Sequence, residues 1–218
     1  MTFAEYIDLD AINWSRLRHL WGEDGSPRRY RHALTEPRED NDTLRRGRAV
    51  HTAILEPDRF PLDYAVYRGP RRAGKEWDAF EAAHSDRTIL TAAQYDTALA
   101  IRDAVRRDPI ARRYLDGDGS NERTLTWTDE RTGFRCKCRL DRFNFKPRAI
   151  VDVKTARSIA KRRFANSGGG LGYQCQMGHY TSGAIANGLL VERRAVLIAV
   201  EHKRPHDVAV FLPPESEI

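Results

Sequence analysis

Apolar residues recur at helical spacing through the first half of the chain and switch to alternation in the second. In INWSRLRHLW, Trp14, Leu17, Leu20 and Trp21 share one face, which predicts a short amphipathic helix from Ile12. A Gly-Glu-Asp-Gly-Ser-Pro stretch stops it, and RRYRHALT reads as a further turn. Asp42 or Thr43 then caps a clearer helix over 44–55, which Glu56-Pro57 ends. Residues 60–68, with Tyr64, Val66 and Tyr67, read as a short strand or an extended arm, and GPRRAGKEW as a basic loop. Helices follow over 77–84, 91–107 and 109–114, where Ala93, Tyr95, Ala98, Ile101 and Val105 keep helical spacing.

Beyond residue 118 the period becomes two. Glu122, Thr124 and Thr126 alternate against Arg123, Leu125 and Trp127, and residues 129–133 turn the chain back. Residues 134–156 read as two strands joined at Lys146-Pro147-Arg148. A helix over 156–166, a flexible SGGGLG linker and a helix over 173–187 come next. RRAVLIAVEH is then a central apolar strand and DVAVFL an edge strand. This order predicts an α/β (α+β) fold in one domain, a mixed central sheet flanked by helices. Its mainly helical part covers 1–118 and its sheet core 119–218.

Chemistry gathers on the paired strands. A strand sends alternate side chains to opposite faces, so Asp152 and Lys154 point the same way. Phe134, Cys136, Cys138 and Leu140 take one face of the preceding strand, and Arg135, Lys137, Arg139 and Asp141 the other. Pairing across the turn would bring two carboxylates and one ammonium to a single patch. Hard cations such as Mg²⁺ take oxygen ligands and keep several waters, and an amine beside them can handle the proton of an attacking water. The same residues also suit a surface hairpin with ordinary ion pairs. On the 44–55 helix, Gly47, His51 and Leu55 align at i, i+4, i+8. A glycine there costs roughly 1 kcal/mol relative to alanine, which points to close approach by another backbone or a ligand beside His51.

Composition narrows the classes. No apolar run reaches the length of a membrane span, and the first residues carry acids where a signal peptide needs bases, so a cytoplasmic protein is expected. Cys136, Cys138 and Cys175 lack the spacing and the fourth ligand of a zinc or iron–sulfur site, and Cys136 and Cys138 read as buried thiols. The net charge of +6 comes mostly from arginine clusters such as Arg45-Arg46-Arg48 and Lys161-Arg162-Arg163, which suit phosphate contacts. Arginine-rich composition alone would also put many of these on solvated faces.

Five motifs occur in one order along nearly the whole chain. They are Ser15-Arg16-Leu17 with Ser26-Pro27 and Tyr30; Gly47-Arg48-Ala49-Val50-His51 with Glu56-Pro57; Glu122–Trp127 with Thr132-Gly133; Asp141 with Asp152-Val153-Lys154; and Gln176-Met177-Gly178-His179-Tyr180. In this order the chain resembles the RecB-type branch of the PD-(D/E)XK nucleases. It is similar to the phage and prophage exonuclease VIII-like enzymes, which digest double-stranded DNA for recombination.

The resemblance implies a restriction-endonuclease-like core and a roster of roles. His51, Asp141, Asp152 and the carbonyl of Val153 would hold Mg²⁺ or Mn²⁺, and Lys154 would orient or deprotonate the attacking water, its pKa lowered by the metal. Gln176 and Tyr180 would touch the scissile strand or buttress Lys154, with Tyr173 on their helix face. Ser15 and Arg16 would bind a terminal 5′-phosphate or simply pack, and Arg48 would contact DNA. Glu122 would be an outer metal or DNA contact or, the plainer reading, a solvent-facing strand residue. It implies double-stranded DNA with a free end as substrate, digested 5′ to 3′ by a homo-oligomeric ring, with a single-strand annealing protein as partner. No iron–sulfur cluster, ATP or membrane is expected. The other readings are a structure-specific endonuclease of the same fold and a non-catalytic DNA-binding relative.

Overall fold

The computed structural model describes residues 1–36 and 41–218. Its helical half contains α1 (Phe3–Asp8), α2 (Trp14–Leu17) running into a 3-10 turn (Arg18–Leu20), α3 (Pro27–Thr35) and α4 (Asp42–Leu55). There follow α5 (Phe60–Asp63), β1 (Tyr64–Tyr67), α6 (Lys75–Ala83), β2 (Thr88–Thr91), α7 (Ala92–Arg107) and α8 (Pro109–Leu115). The sheet half runs β3 (Gly119–Thr128), β4 (Arg135–Phe145), β5 (Arg148–Ala156), α9 (Lys161–Leu171), α10 (Tyr173–Ala186), β6 (Ala195–Glu201) and β7 (Val208–Phe211). β3 to β7 form one sheet in sequence order, antiparallel except for the parallel pair β5–β6. β1 and β2 make a separate parallel pair. Among the described residues no helix is long and apolar enough to cross a membrane.

Both sheet faces are covered. On one, Ala49, Val50, Ala53 and Ile54 of α4 pack with Ala98, Ile101 and Val105 of α7 over Val151, Val153, Val196, Ile198 and Val200. Each large aliphatic side chain buried there is worth roughly 1.5–3 kcal/mol. The Asn41 side chain caps α4 by accepting the Leu44 N–H. On the other face α10 lays Ala184 against Leu125, Cys138, Leu140 and Ile150, and α9 and α10 set Phe164 and Met177 over Ala195, Leu197 and Ala199.

Several expected elements differ. The glycines of SGGGLG are helical, because α9 continues to Leu171 and the chain turns only at Gly172, whose φ is +69°. Gly168 is buried and lets α9 approach α10, since a Cβ there would lie 3.0 Å from the Tyr173 ring. The helix expected from Ala156 begins at Lys161, because β5 runs on to Ala156. The helix expected from Ile12 is broken into α2 and a 3-10 turn. α1 and β2 are short elements that periodicity does not reveal. β6 is interior but fourth of five, and β5 holds the centre. Cys136 and Cys138 are buried free thiols.

The N-terminal segment is tied to β4 by an unexpected anchor. Lys137 is 1% exposed, and its Nζ donates to the carbonyls of Tyr6 (2.7 Å), Ile7 (3.1 Å) and Leu9 (2.5 Å) while lying 4.8 Å from the Tyr6 ring. A cation at a helix C-terminus meets both orphan carbonyls and the favourable end of the dipole. A helix as short as α1 has little stability of its own. Lys137→Met should therefore cost roughly 2 kcal/mol, by leaving buried carbonyls unpaired, and should speed amide exchange through residues 2–13. Wild-type exchange protection in the variant would show that the anchor holds nothing.

Candidate active site

Pairing of β4 with β5 stops at Arg142↔Val151, although both strands continue. Past that point they part, and each freed edge finds a substitute. Ile12 bridges to Cys136, donating to the Arg135 carbonyl at 2.9 Å and accepting the Lys137 N–H at 2.7 Å. The Lys137 carbonyl meets His179 Nε2 of α10 at 3.1 Å. On β5 the Val153 N–H donates to Asp141 Oδ2 at 2.8 Å, so a carboxylate stands where a backbone carbonyl would. The N–H and C=O of one strand residue leave on the same side, so the Val153 carbonyl also faces this open edge.

The chemistry lies at that opening. Asp152 is 1% exposed and its Oδ2 is 2.6 Å from Lys154 Nζ. The two make a buried ion pair, with the Lys154 ammonium close enough to donate to that oxygen. Lys154 Nζ donates to Gln176 Oε1 at 2.9 Å, and Gln176 Nε2 donates to the Tyr180 hydroxyl at 2.9 Å. Residues 176 and 180 meet because i and i+4 stack on one helix face. The Tyr173 ring, one turn earlier, lies 4.8 Å from Lys154 Nζ. α10 starts at Gly172 because its backbone is left-handed and a Cβ there would reach 2.7 Å from Trp14. From the opposite face of the sheet α4 brings His51 Nδ1 to 3.4 Å from Asp141 Oδ2. A Cβ on Gly47, one turn before His51, would meet nothing within 4 Å, so no backbone among the described residues requires that glycine.

The titrations follow from this arrangement. Burial and the neighbouring Asp141 charge raise Asp152 to about 6, against the pull of Lys154. Burial opposes the charge on His51, but Asp141 and Asp152 outweigh it and lift the imidazole to about 9. Burial likewise opposes the charge on Asp141, yet His51, Lys154 and the Val153 N–H leave it below the ordinary carboxylate value. Lys154 also goes up: burial lowers it, and the two carboxylates more than compensate. The lowered lysine expected from a nearby metal is therefore not a property of the chain alone.

The structure thus gathers His51, Asp141, Asp152, Val153, Lys154, Tyr173, Gln176 and Tyr180. Glu122 is only partly exposed, and it sits at an irregular point of β3 that has no register partner on β4. Its φ is +50°, its Oε2 accepts from Arg139 Nε at 2.8 Å, and burial and Asp141 raise its pKa. The Ser15 hydroxyl donates to Asn13, which also caps the Arg16 N–H, and neither residue contacts the carboxylates. Arg48 is exposed on α4, three residues before His51. Sequence reasoning missed Arg139 and Lys137. Their one signal was two cations alternating with buried thiols on the strand that carries Asp141.

Among the described residues no three His, Cys, Asp or Glu side chains form a ready-made metal cage, so the expected trio of His51, Asp141 and Asp152 does not close by itself. The donors nevertheless suit a hard divalent cation. Two carboxylates and an edge carbonyl are oxygen ligands, and the buried Asp152 Oδ2 has the Lys154 ammonium beside it and no further donor among the described residues.

A five-stranded mixed sheet whose parted central strands present acid, acid-x-Lys and a helical Gln is the architecture of a PD-(D/E)XK nuclease. The PDDEXK-like domain of unknown function family (DUF3799) matches residues 20–217, and the chain belongs to it. A crystal structure from Eubacterium rectale, provisionally named an exonuclease, matches with a TM-score of 0.67 at 15% identity, over 99% of this chain and 77% of that one. At that identity the likeness shows the fold alone. Another solved structure, at 13% identity and a TM-score of 0.33 over 85% of this chain and 75% of that one, carries no argument. No curated protein matches the chain. Family and fold support a nuclease.

The raised groups make stability pH-dependent. A histidine held at about 9 stabilises the fold fully below its unfolded value near 6.5 and loses that contribution as pH rises through 9. With 29% of the side chain exposed, the loss is at most roughly 3 kcal/mol. Asp152, held at about 6, loses its smaller share between about pH 4 and 6. In chelator the melting temperature should fall from pH 6.5 to 9.5, and His51→Ala should flatten that slope. Equal slopes in the two proteins would show that the His51–Asp141 contact carries no linkage.

Proposed function

We propose that this protein is a metal-dependent exodeoxyribonuclease that hydrolyses linear double-stranded DNA from a free end, 5′ to 3′, leaving 3′ tails for phage-type recombination. The observation that carries this reading is the buried Asp152–Lys154 pair at the parted strands, with Lys154 fixed through Gln176 to Tyr180. Asp141, Asp152 and the Val153 carbonyl would hold Mg²⁺ or Mn²⁺, joined by His51 once its proton is lost. The cation, when bound, supplies Lewis acidity at the scissile phosphate and a more acidic water. Lys154 would orient or deprotonate that water, and its hydrogen bond to Gln176 sets the direction of Nζ. His51 and the Val153 N–H fix Asp141.

The substrate assignment draws on charge and on resemblance. The chain carries +6, and Arg157, Lys161, Arg162 and Arg163 follow the catalytic strand without an ion pair among the described residues. Progress along DNA without ATP is assigned to a closed homo-oligomeric ring acting in the cytoplasm, with a single-strand annealing protein to receive the product.

Lys154→Ala should lower kcat by about 10²–10⁴-fold. Asp152 would then take up a proton, so the fold and DNA affinity should persist. Retention of a tenth or more of the wild-type rate, with Mg²⁺ present, would remove Lys154 from the chemistry. Wild-type enzyme should digest end-labelled linear duplex only with divalent metal, spare covalently closed circles, resist competitor DNA once started, and sediment as a discrete oligomer. Efficient cutting of closed circles, or a strict monomer, would favour a structure-specific endonuclease instead.

A further inference from the structure

A cavity of about 670 Å³ lies beside the proposed catalytic centre, between α9, α10 and the outer strands. That size is typical of small-molecule sites, which run roughly 300–1,000 Å³. Leu197 and Phe211 of the sheet form its floor side together with Phe164, whose ring stacks on Phe211 at 4.6 Å, and Tyr173 and Met177 of α10 also line it. Register fixes how near it is. Leu197 is the strand partner of Asp152, and Phe211 is the partner of Leu197. Neighbouring strands are about 4.8 Å apart, so the floor begins about one strand spacing from the carboxylate. Tyr173 is a shared wall: one side lines the cavity and its ring lies 4.8 Å from Lys154 Nζ.

We infer that this cavity receives a nucleobase from the unpaired stretch of the strand being cut, stacking it on aromatic walls while its phosphate sits at Lys154 and Asp152. The inference rests on the nuclease reading and deepens it. Charge complementarity selects a nucleotide over a purely apolar occupant. Lys161 stands on the rim, and Arg162 and Arg163 adjoin it on α9 with no ion pair among the described residues. The lining is mainly apolar and aromatic, with Gln174 as its polar amide, so it offers stacking without a pattern of donors and acceptors that would read one base. Binding of that kind accepts any sequence, as a processive exonuclease requires.

The test uses the full chain without metal, so that nothing is cut. Fluorescence anisotropy would compare a short labelled single strand with the same strand carrying one abasic residue, moved position by position. Ala165→Trp is the plug: Ala165 lines the cavity from an exposed helical position, so the fold should survive. Wild-type protein should lose about 5–100-fold in affinity at one abasic position, the worth of one stacked base. Ala165→Trp should bind both strands at that weakened level. Equal affinity for intact and abasic strands at every position would overturn the inference and leave the nuclease reading standing. No binding of any strand would overturn both. A plug that changes the sedimenting size while leaving base discrimination intact would overturn it in favour of a contact between copies of the chain.

Discussion

The separation of β4 from β5 past Arg142 and Val151 is the constraint on which the rest depends. A sheet interrupted at its centre exposes backbone groups that must be paired or hydrated. Here four of them find different substitutes, a strand-like segment at Ile12, a histidine ring from α10 and the carboxylate of Asp141, while the Val153 carbonyl faces the open edge. The last substitution turns a structural requirement into a chemical one. The group that satisfies Val153 is a side chain held rigidly beside a second acid, with room left at the edge for a ligand.

Around that edge the charges balance in the free chain. Asp141 and Asp152 are met by the Lys154 ammonium and by a protonated His51. The two positive charges come from different layers, one from β5 itself and one from α4 across the sheet. The site is thus coupled to both faces of the core. A divalent cation entering here meets a centre already compensated, so its binding is tied to loss of a proton, as expected where a ligand must first be neutral.

What could be read from the sequence was local. Asp152 and Lys154 share a face because they lie two apart on one strand, and Gln176 and Tyr180 because they lie four apart on one helix; both relations survive folding. The β4 alternation survives only as far as Asp141. Leu140 packs under α10 whereas Arg142 donates to Tyr114 of α8, so two positions of like parity face opposite ways around Asp141. Its β3 neighbour Glu122, with positive φ, marks the same break, and a non-glycine residue in that conformation gives no warning in sequence. The glycine run after Asn166 misled for a different reason: flexible composition stayed helical, with Gly168 alone of the three consecutive glycines packed tightly on α10. Lys137 resembled any surface cation, because nothing nearby in sequence announces carbonyls from the far end of the chain.

That anchor has a bearing on how the protein comes into being. Lys137 Nζ grips the carbonyl of Tyr6, 131 positions earlier. At ribosomal rates of about 5–20 residues per second, the two are made on the order of ten seconds apart. Throughout that interval α1 has no clasp, β4 has no covered edge, and Gln176 does not yet exist to aim Lys154. The candidate site is assembled only as the last third of the chain emerges. A nascent chain therefore presents basic side chains well before it presents the complete candidate site.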